Sequence, residues 1–177
     1  MIAIMPAPID MLFRDANRRS YKRGETVFRS GDPVTSVYLV LDGAVELVRH
    51  SASGTRLVLH RAIMGDILAE ASVYSEIYHC DGEVAAMTRL ASLPASSFLQ
   101  RLDTNPVCAR NWAAKLAHSL QSARMQSEMR GLKTVAEKLD MWLSNGRAIP
   151  PKGQVQELAQ DLGVTREALY RELAKRR

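Results

Sequence analysis

The sequence predicts an α+β chain, with a sandwich or barrel of short strands first and helices to the end. Three observations carry this. Residues up to about Pro94 fall into short apolar runs split by glycine turns. From about Asn105 the apolar period lengthens to three and four residues. The last stretch, residues 155–177, has the form of two short helices around a tight turn.

The strands come first. Residues 26–28 (TVF) form a short one, and residues 37–41 (VYLVL) a longer one. Asp42 and Gly43 follow as a hairpin signal, and residues 44–48 alternate as a strand does. Ser53 and Gly54 make another turn, after which residues 56–60 return as a strand. The Ile67 region, residues 84–86 and residues 89–93 complete the set. Residues 95–102 read as a short helix.

The helical part opens at residues 103–106 (DTNP), with Pro106 in the first turn. Ala109, Trp112, Ala113, Leu116, Leu120 and Ala123 then recur as an apolar stripe. One face packs on the strands, and the rest suits a seam between two copies through Trp112, Leu116, Leu120 and Ala123. Gly131 breaks this helix. Thr134 and Glu137 form a capping-box pattern that opens the next one, through Leu143. The expected units are therefore residues 1–104, 105–131 and 132–177.

In the final stretch Leu158, Leu162, Val164, Leu169 and Leu173 are the apolar positions. Ala159 is small where two helices would cross, Gly163 suits the turn, and Thr165 can cap the second helix. That helix would present Arg166, Glu167, Tyr170 and Arg171 near its N-terminus, with Lys175 further on. This is where a recognition helix meets base edges. Arginine can donate twice to guanine O6 and N7, and glutamate can accept from the cytosine amino group. Double-stranded DNA is the expected partner. A net charge of +5 agrees, and Arg176 and Arg177 add to the positive crowd at this end.

Two cysteines, Cys80 and Cys108, are too few for a disulfide framework. The opening residues contain prolines and lack a basic start, so they make a poor signal peptide. No apolar run is long enough to cross a bilayer, and no membrane association is expected. A reducing cytoplasm is the default location.

The order of marks along the chain resembles the CRP/FNR superfamily, the cyclic-AMP receptor protein type of transcription regulator. The marks are Gly24 with Glu25, Gly31 with Asp32, Gly43, Gly54, Gly65 with Asp66, then Glu70, a long helix and a helix-turn-helix. The resemblance covers about residues 18–177. It implies a cyclic-nucleotide-binding-type β-roll (jelly roll), a long dimerisation helix and a C-terminal winged-helix-type helix-turn-helix whose wing is missing here. It also implies a homodimer on a palindromic site with TGTGA-like half-sites, read by Arg166, Glu167 and Arg171. RNA polymerase is a further implied partner. A hinge at residues 132–134 would let a signal bias the DNA-reading units.

The effector side departs from the family. Ala69 and Glu70 stand where a Gly-Glu pair begins the phosphate-binding segment, so the ribose-holding Glu is kept. Cys80 and Asp81 stand where Arg and Ser or Thr would hold the cyclic phosphate. Ala123 and Arg124 replace a Thr-Ser pair that reaches the adenine. A thiol cannot neutralise a phosphate, and the Asp81 carboxylate would repel it. Cyclic AMP is therefore not the expected effector. Arg124 offers a cation from another direction, which leaves an anionic ligand open.

His79 and Cys80 sit side by side at the lip of that pocket. One reading makes Cys80 a redox, soft-metal or haem sensor with His79 as a helper. The other makes Cys80 a small buried hydrophobe. In a strand the two side chains would face opposite ways, which counts against a chelate. Two further function classes bear on this chain. A cupin-like metalloenzyme needs a His-x-His pair, and none occurs. No nucleophile elbow or phosphate-cradling glycine loop occurs either, so no enzyme is expected. The last alternative is an interaction protein that keeps the fold without binding DNA.

Overall fold

The computed structural model describes residues 10–151 and 155–176. The chain divides into two compact units, Met1–Trp112 and Ala113–Arg177. The break falls inside the long helix, which begins in the first unit and continues into the second.

The first unit opens with a 3-10 turn, Asp10–Phe13. Eight strands follow: β1 (Asn17–Tyr21), β2 (Thr26–Phe28), β3 (Ser36–Asp42), β4 (Ala44–His50), β5 (Arg56–Ile63), β6 (Ile67–Leu68), β7 (Asp81–Val84) and β8 (Thr88–Pro94). They form two four-stranded sheets, ordered β1-β8-β3-β6 and β2-β7-β4-β5. All pairings are antiparallel. The core between the sheets contains Phe28, Tyr38, Val40, Val45, Ala62, Leu68, Tyr78, Val84 and Leu90. Phe28 stacks on Tyr78 at 4.3 Å and lies 5.8 Å from Tyr38. Burial and the neighbouring Tyr78 hold the Tyr38 hydroxyl above its usual range.

Three sequence expectations change here. Asp42 and Gly43 do not close a hairpin, because β3 and β4 belong to different sheets. Gly43 instead marks the point where the chain crosses between sheets. Its φ is +85°, and a Cβ there would lie 2.3 Å from the Met87 carbonyl oxygen and 2.5 Å from Thr88 Oγ1. The buried Thr88 hydroxyl accepts from the Ala44 amide at 2.9 Å and lies 2.8 Å from the Ala86 carbonyl. The crossover therefore requires glycine and is fixed by a satisfied buried polar group.

The strand expected at residues 84–86 ends at Val84 and begins at Asp81. Asp81, Gly82 and Glu83 have turn composition, yet they pair with Val48, Leu47 and Glu46. β1 had no sequence signal, because four of its five residues are exposed and polar on an edge strand. The turn at Ser53 and Gly54 does join β4 to β5, closed by Ser51 and Thr55.

After β8 come α1 (Ala95–Thr104) and α2 (Pro106–Gly131). Asn105 caps α2, its side-chain oxygen accepting from the amides of Val107 and Cys108, each at 3.1 Å. Phe98 of α1 is fully buried and meets Trp112 edge-on at 4.9 Å. Trp112 is thus packed inside the first unit rather than on a surface open to a second copy. This removes it from the expected seam and leaves Leu116, Leu120 and Ala123. Leu120 is 52% exposed and Ala123 is exposed.

The second unit contains the remainder of α2, then α3 (Val135–Ser144), α4 (Val155–Asp161) and α5 (Arg166–Lys175). The capping box at Thr134 and Glu137 forms as expected. Met129, Leu139, Trp142, Leu158, Ala159, Leu162 and Leu169 make one core, with Met125 and Leu173 against it. Each fully buried leucine there stabilises the unit by about 2 kcal/mol.

Candidate nucleic-acid interface and effector face

The helix-turn-helix is α4 and α5. α4 ends at Asp161, and Gly163 enters the left-handed region at φ +62°. The Val164 amide then returns to the Ala159 carbonyl at 2.9 Å, so the turn is closed by backbone alone. Thr165 caps α5, accepting from the Ala168 amide at 3.2 Å. Leu169 is fully buried and fixes the inner face of the helix.

That leaves Arg166, Glu167, Tyr170 and Arg171 exposed together at the N-terminal end of α5. The Arg166 guanidinium lies 5.6 Å from the centre of the Tyr170 ring, which pre-arranges it. Thr165 is exposed at the cap, and Lys175 is exposed but paired with Glu172 at 3.8 Å. Arg176 has a different role from the one its charge suggested. It binds Asp140 of α3, donates to Glu172 Oε1 at 2.9 Å and reaches the Ala136 carbonyl at 3.1 Å. Arg176 therefore clamps the end of α5 to α3. Arg177 lies outside the described residues.

In the first unit the effector positions separate by strand parity. Val84 points into the core, and Gly82 shares its face. Cys80 does pack against that core. Asp81 falls on the opposite face. Its carboxylate accepts from the Ser30 amide at 2.8 Å and lies 3.7 Å from His50 Nδ1. The Asp81 charge is nevertheless still felt at Cys80.

Residues 78–80 precede β7 and are not themselves strand, so the alternation argument against a His79–Cys80 chelate does not apply. The side chains still separate. His79 is exposed and meets Ser75 Oγ at 3.1 Å, whereas Cys80 is half-buried. Burial pushes the Cys80 thiol up, with Glu70 and Asp81 adding to the shift and Arg49 opposing it. A protonated thiol is the reverse of what a reactive thiolate or soft-metal ligand needs. Among the described residues no group of three His, Cys, Asp or Glu side chains is placed to hold a metal ion.

Ala69 adopts φ +66°, a left-handed conformation unusual for a residue with a side chain. Its neighbour Glu70 begins a run of turns, with the Ser72 amide bonded to the Ala69 carbonyl at 3.0 Å. Ala123 and Arg124 lie on α2 in the second unit, both exposed. Sequence reasoning missed Arg49. This β4 side chain donates to the His79 carbonyl at 2.9 Å, beside Cys80. Only the pairing of β4 with β7 brings it there.

A β-roll with a retained Glu70, joined by a long helix to a helix-turn-helix, is the architecture of a signal-responsive transcription regulator. Comparison with known proteins agrees. Residues 18–105 match the family described as cyclic nucleotide-binding domain. The chain is 27% identical over 175 residues to the cyclic AMP receptor protein of Thermus thermophilus, covering 96% of this chain and 81% of the relative. It is also 27% identical to the nitrogen fixation regulation protein FixK of Bradyrhizobium diazoefficiens, over 92% of this chain and 73% of the relative. The solved structure of FixK2 from Bradyrhizobium japonicum shares the fold, with a TM-score of 0.68 over 90% of this chain and 83% of that one at 23% identity. The chain belongs to the CRP/FNR superfamily of transcription regulators. Among the described residues no helix is long and apolar enough to cross a membrane.

Proposed function

We propose that this protein is a dimeric, sequence-specific DNA-binding regulator whose β-roll senses a signal other than cyclic AMP. The observation that carries the DNA reading is the outward face of α5. Arg166, Glu167, Tyr170 and Arg171 are exposed together on a helix whose start is fixed by Thr165 and whose end is clamped by Arg176. A preorganised helix of this kind loses little conformational freedom on entering a major groove. Arg171 and Arg166 supply the donors for guanine, and Glu167 supplies the acceptor for cytosine. Lys175 and the Thr165 hydroxyl reach the phosphate backbone.

The pairing of copies uses α2 through Leu116, Leu120 and Ala123. Departure from cyclic AMP rests on Cys80 at the position where the family holds the cyclic phosphate, and on Ala123 and Arg124 in place of the adenine contacts. The protonated state favoured at Cys80 supports a packing role over a redox, metal or haem site.

The test is binding to a palindrome with TGTGA-like half-sites and to random duplex. Arg171→Ala should cost about 1–3 kcal/mol on the palindrome and relax the preference at one guanine. Equal loss on both DNAs would reduce Arg171 to a phosphate contact and overturn its assignment.

A further inference from the structure

The pairing register gathers a positively charged group on the inner face of the β2-β7-β4-β5 sheet. Val45 and Val84 pair with each other, point into the core and set the parity of both strands. Leu47, two residues on from Val45, packs against the same core and sits opposite Gly82. Arg49 continues that face one step further out, beside Cys80. Across the hairpin Leu47 pairs with His60 and Arg49 with Leu57, and directly opposed residues share a face. Arg49 lies beside Cys80, and His60 stands on the neighbouring strand across the register shift between Leu47 and Val48. The other face of the same strands carries Glu46, Glu83 and Asp81. There Arg56 bridges Glu46 and Glu83, at 2.7 and 2.8 Å, and Asp81 binds the Ser30 amide. The acidic groups of β4 and β7 are thus drawn away from Arg49. Glu70 and Asp81 are the carboxylates whose charge is still felt at Cys80 beside Arg49.

Among the described residues, the Arg49 guanidinium donates from Nη2 to the His79 carbonyl, and its side chain is exposed. A carbonyl contact orients a guanidinium without neutralising it. The remaining N–H donors keep the fork geometry that suits a phosphate or carboxylate.

We propose that Arg49, with His60 on the neighbouring strand, is the anion-holding residue of the β-roll, so that the effector is a small molecule carrying a phosphate or carboxylate group. This deepens the sensing role proposed above and rests on it. The cation that position 80 lacks is supplied from β4, and the anion enters from the opposite wall. A cyclic nucleotide whose phosphate must sit at Cys80 would still fit poorly.

The experiment is a titration of the full-length protein at constant ionic strength with inorganic phosphate, succinate and cyclic AMP. The readout is the Nε–H resonance of Arg49 in ¹H–¹⁵N spectra, assigned by its loss in Arg49→Lys. Saturable displacement by phosphate, by succinate or by both is expected at millimolar concentration, and the stronger response names the anion class. Cyclic AMP should bind no better than phosphate. Arg49→Met should weaken the response, followed through backbone amides of β4 and β7, about tenfold or more, with Arg49→Lys and His60→Gln intermediate. No saturable displacement in the wild-type protein with any probe would overturn the proposal, as would an Arg49→Met variant that binds equally well. Binding of wild type and Arg49→Met to the palindrome is measured in parallel. If neither reads sequence while Arg49 still binds anion, the DNA-reading role fails and the anion site stands.

Discussion

α5 and the inner face of β4 and β7 both carry arginines in exposed positions, but they came to them by different routes. On α5, Arg166 and Arg171 stand among neighbours fixed by local rules: a cap at Thr165, a buried Leu169 and a left-handed Gly163. On the sheet, Arg49 owes its place to β4's pairing with β7 and β5, which joins residues far apart in the chain, such as Val48 with Asp81 and Glu46 with Glu83. The proposed reading end carries Arg166, Glu167 and Arg171 where the resemblance implies base-reading side chains. The proposed sensing end carries Cys80 and Asp81 where the resemblance implies a phosphate-holding pair, and the Asp81 carboxylate accepts from the Ser30 amide. Recognition surfaces built on a single helix can be read residue by residue, whereas a pocket built across strands is defined by register.

The largest effect that would break this comparison is at the sheet crossover, on which the register of β3 and β4 depends. Gly43→Val places a branched side chain against the Met87 carbonyl and Thr88 at a positive φ. It should cost on the order of 3 kcal/mol or more in chemical denaturation. A variant within about 0.5 kcal/mol of wild type would show that the crossover tolerates a side chain and does not set the register.

Next is the seam. Leu116→Glu with Leu120→Glu should give monomers in sedimentation, since two charges would have to be buried on each copy. These monomers should lose preference for a palindrome over a single half-site. A double variant that still sediments as a dimer places the pairing surface elsewhere.

The smallest effect sharpens the account of the rebuilt pocket. Ala69 stands at φ +66°, where glycine is the unstrained residue. Ala69→Gly should stabilise the protein by about 0.5–1 kcal/mol, because relief of the left-handed strain exceeds the added freedom of the unfolded chain. Destabilisation would mean that the Ala69 methyl, which is buried, contributes more through packing than its backbone loses.

Much of the fold was legible because its signals are local. Apolar alternation in residues 44–48, the cap at Thr134 with Glu137, and the spacing of Leu158, Leu162 and Leu169 each sit within a few residues. Asp42 and Gly43 misled because a hairpin and a sheet crossover use the same residues, and the difference lies in Thr88, far along the chain. β7 misled because Asp81, Gly82 and Glu83 have turn composition and are strand only through β4 and β2. Trp112 fitted the helical stripe, but the stripe does not say which of its members a neighbour such as Phe98 already covers. Arg176 counted as free charge until its bonds to Asp140 and Ala136 were seen. At the recognition helix the candidate residues Arg166, Glu167, Tyr170 and Arg171 all emerged on the exposed face.

The central claim is that paired α5 helices read a symmetric site. The direct measurement is fluorescence anisotropy of the wild-type protein on palindromes whose TGTGA-like half-sites are set one helical turn apart, about 34 Å, and on the same half-sites moved by half a turn. The account predicts tight binding at the first spacing and loss to the level of random duplex at the second, with Arg171→Ala narrowing the difference. Equal affinity for both spacings and for random DNA, in a protein that sediments as a dimer, would contradict it.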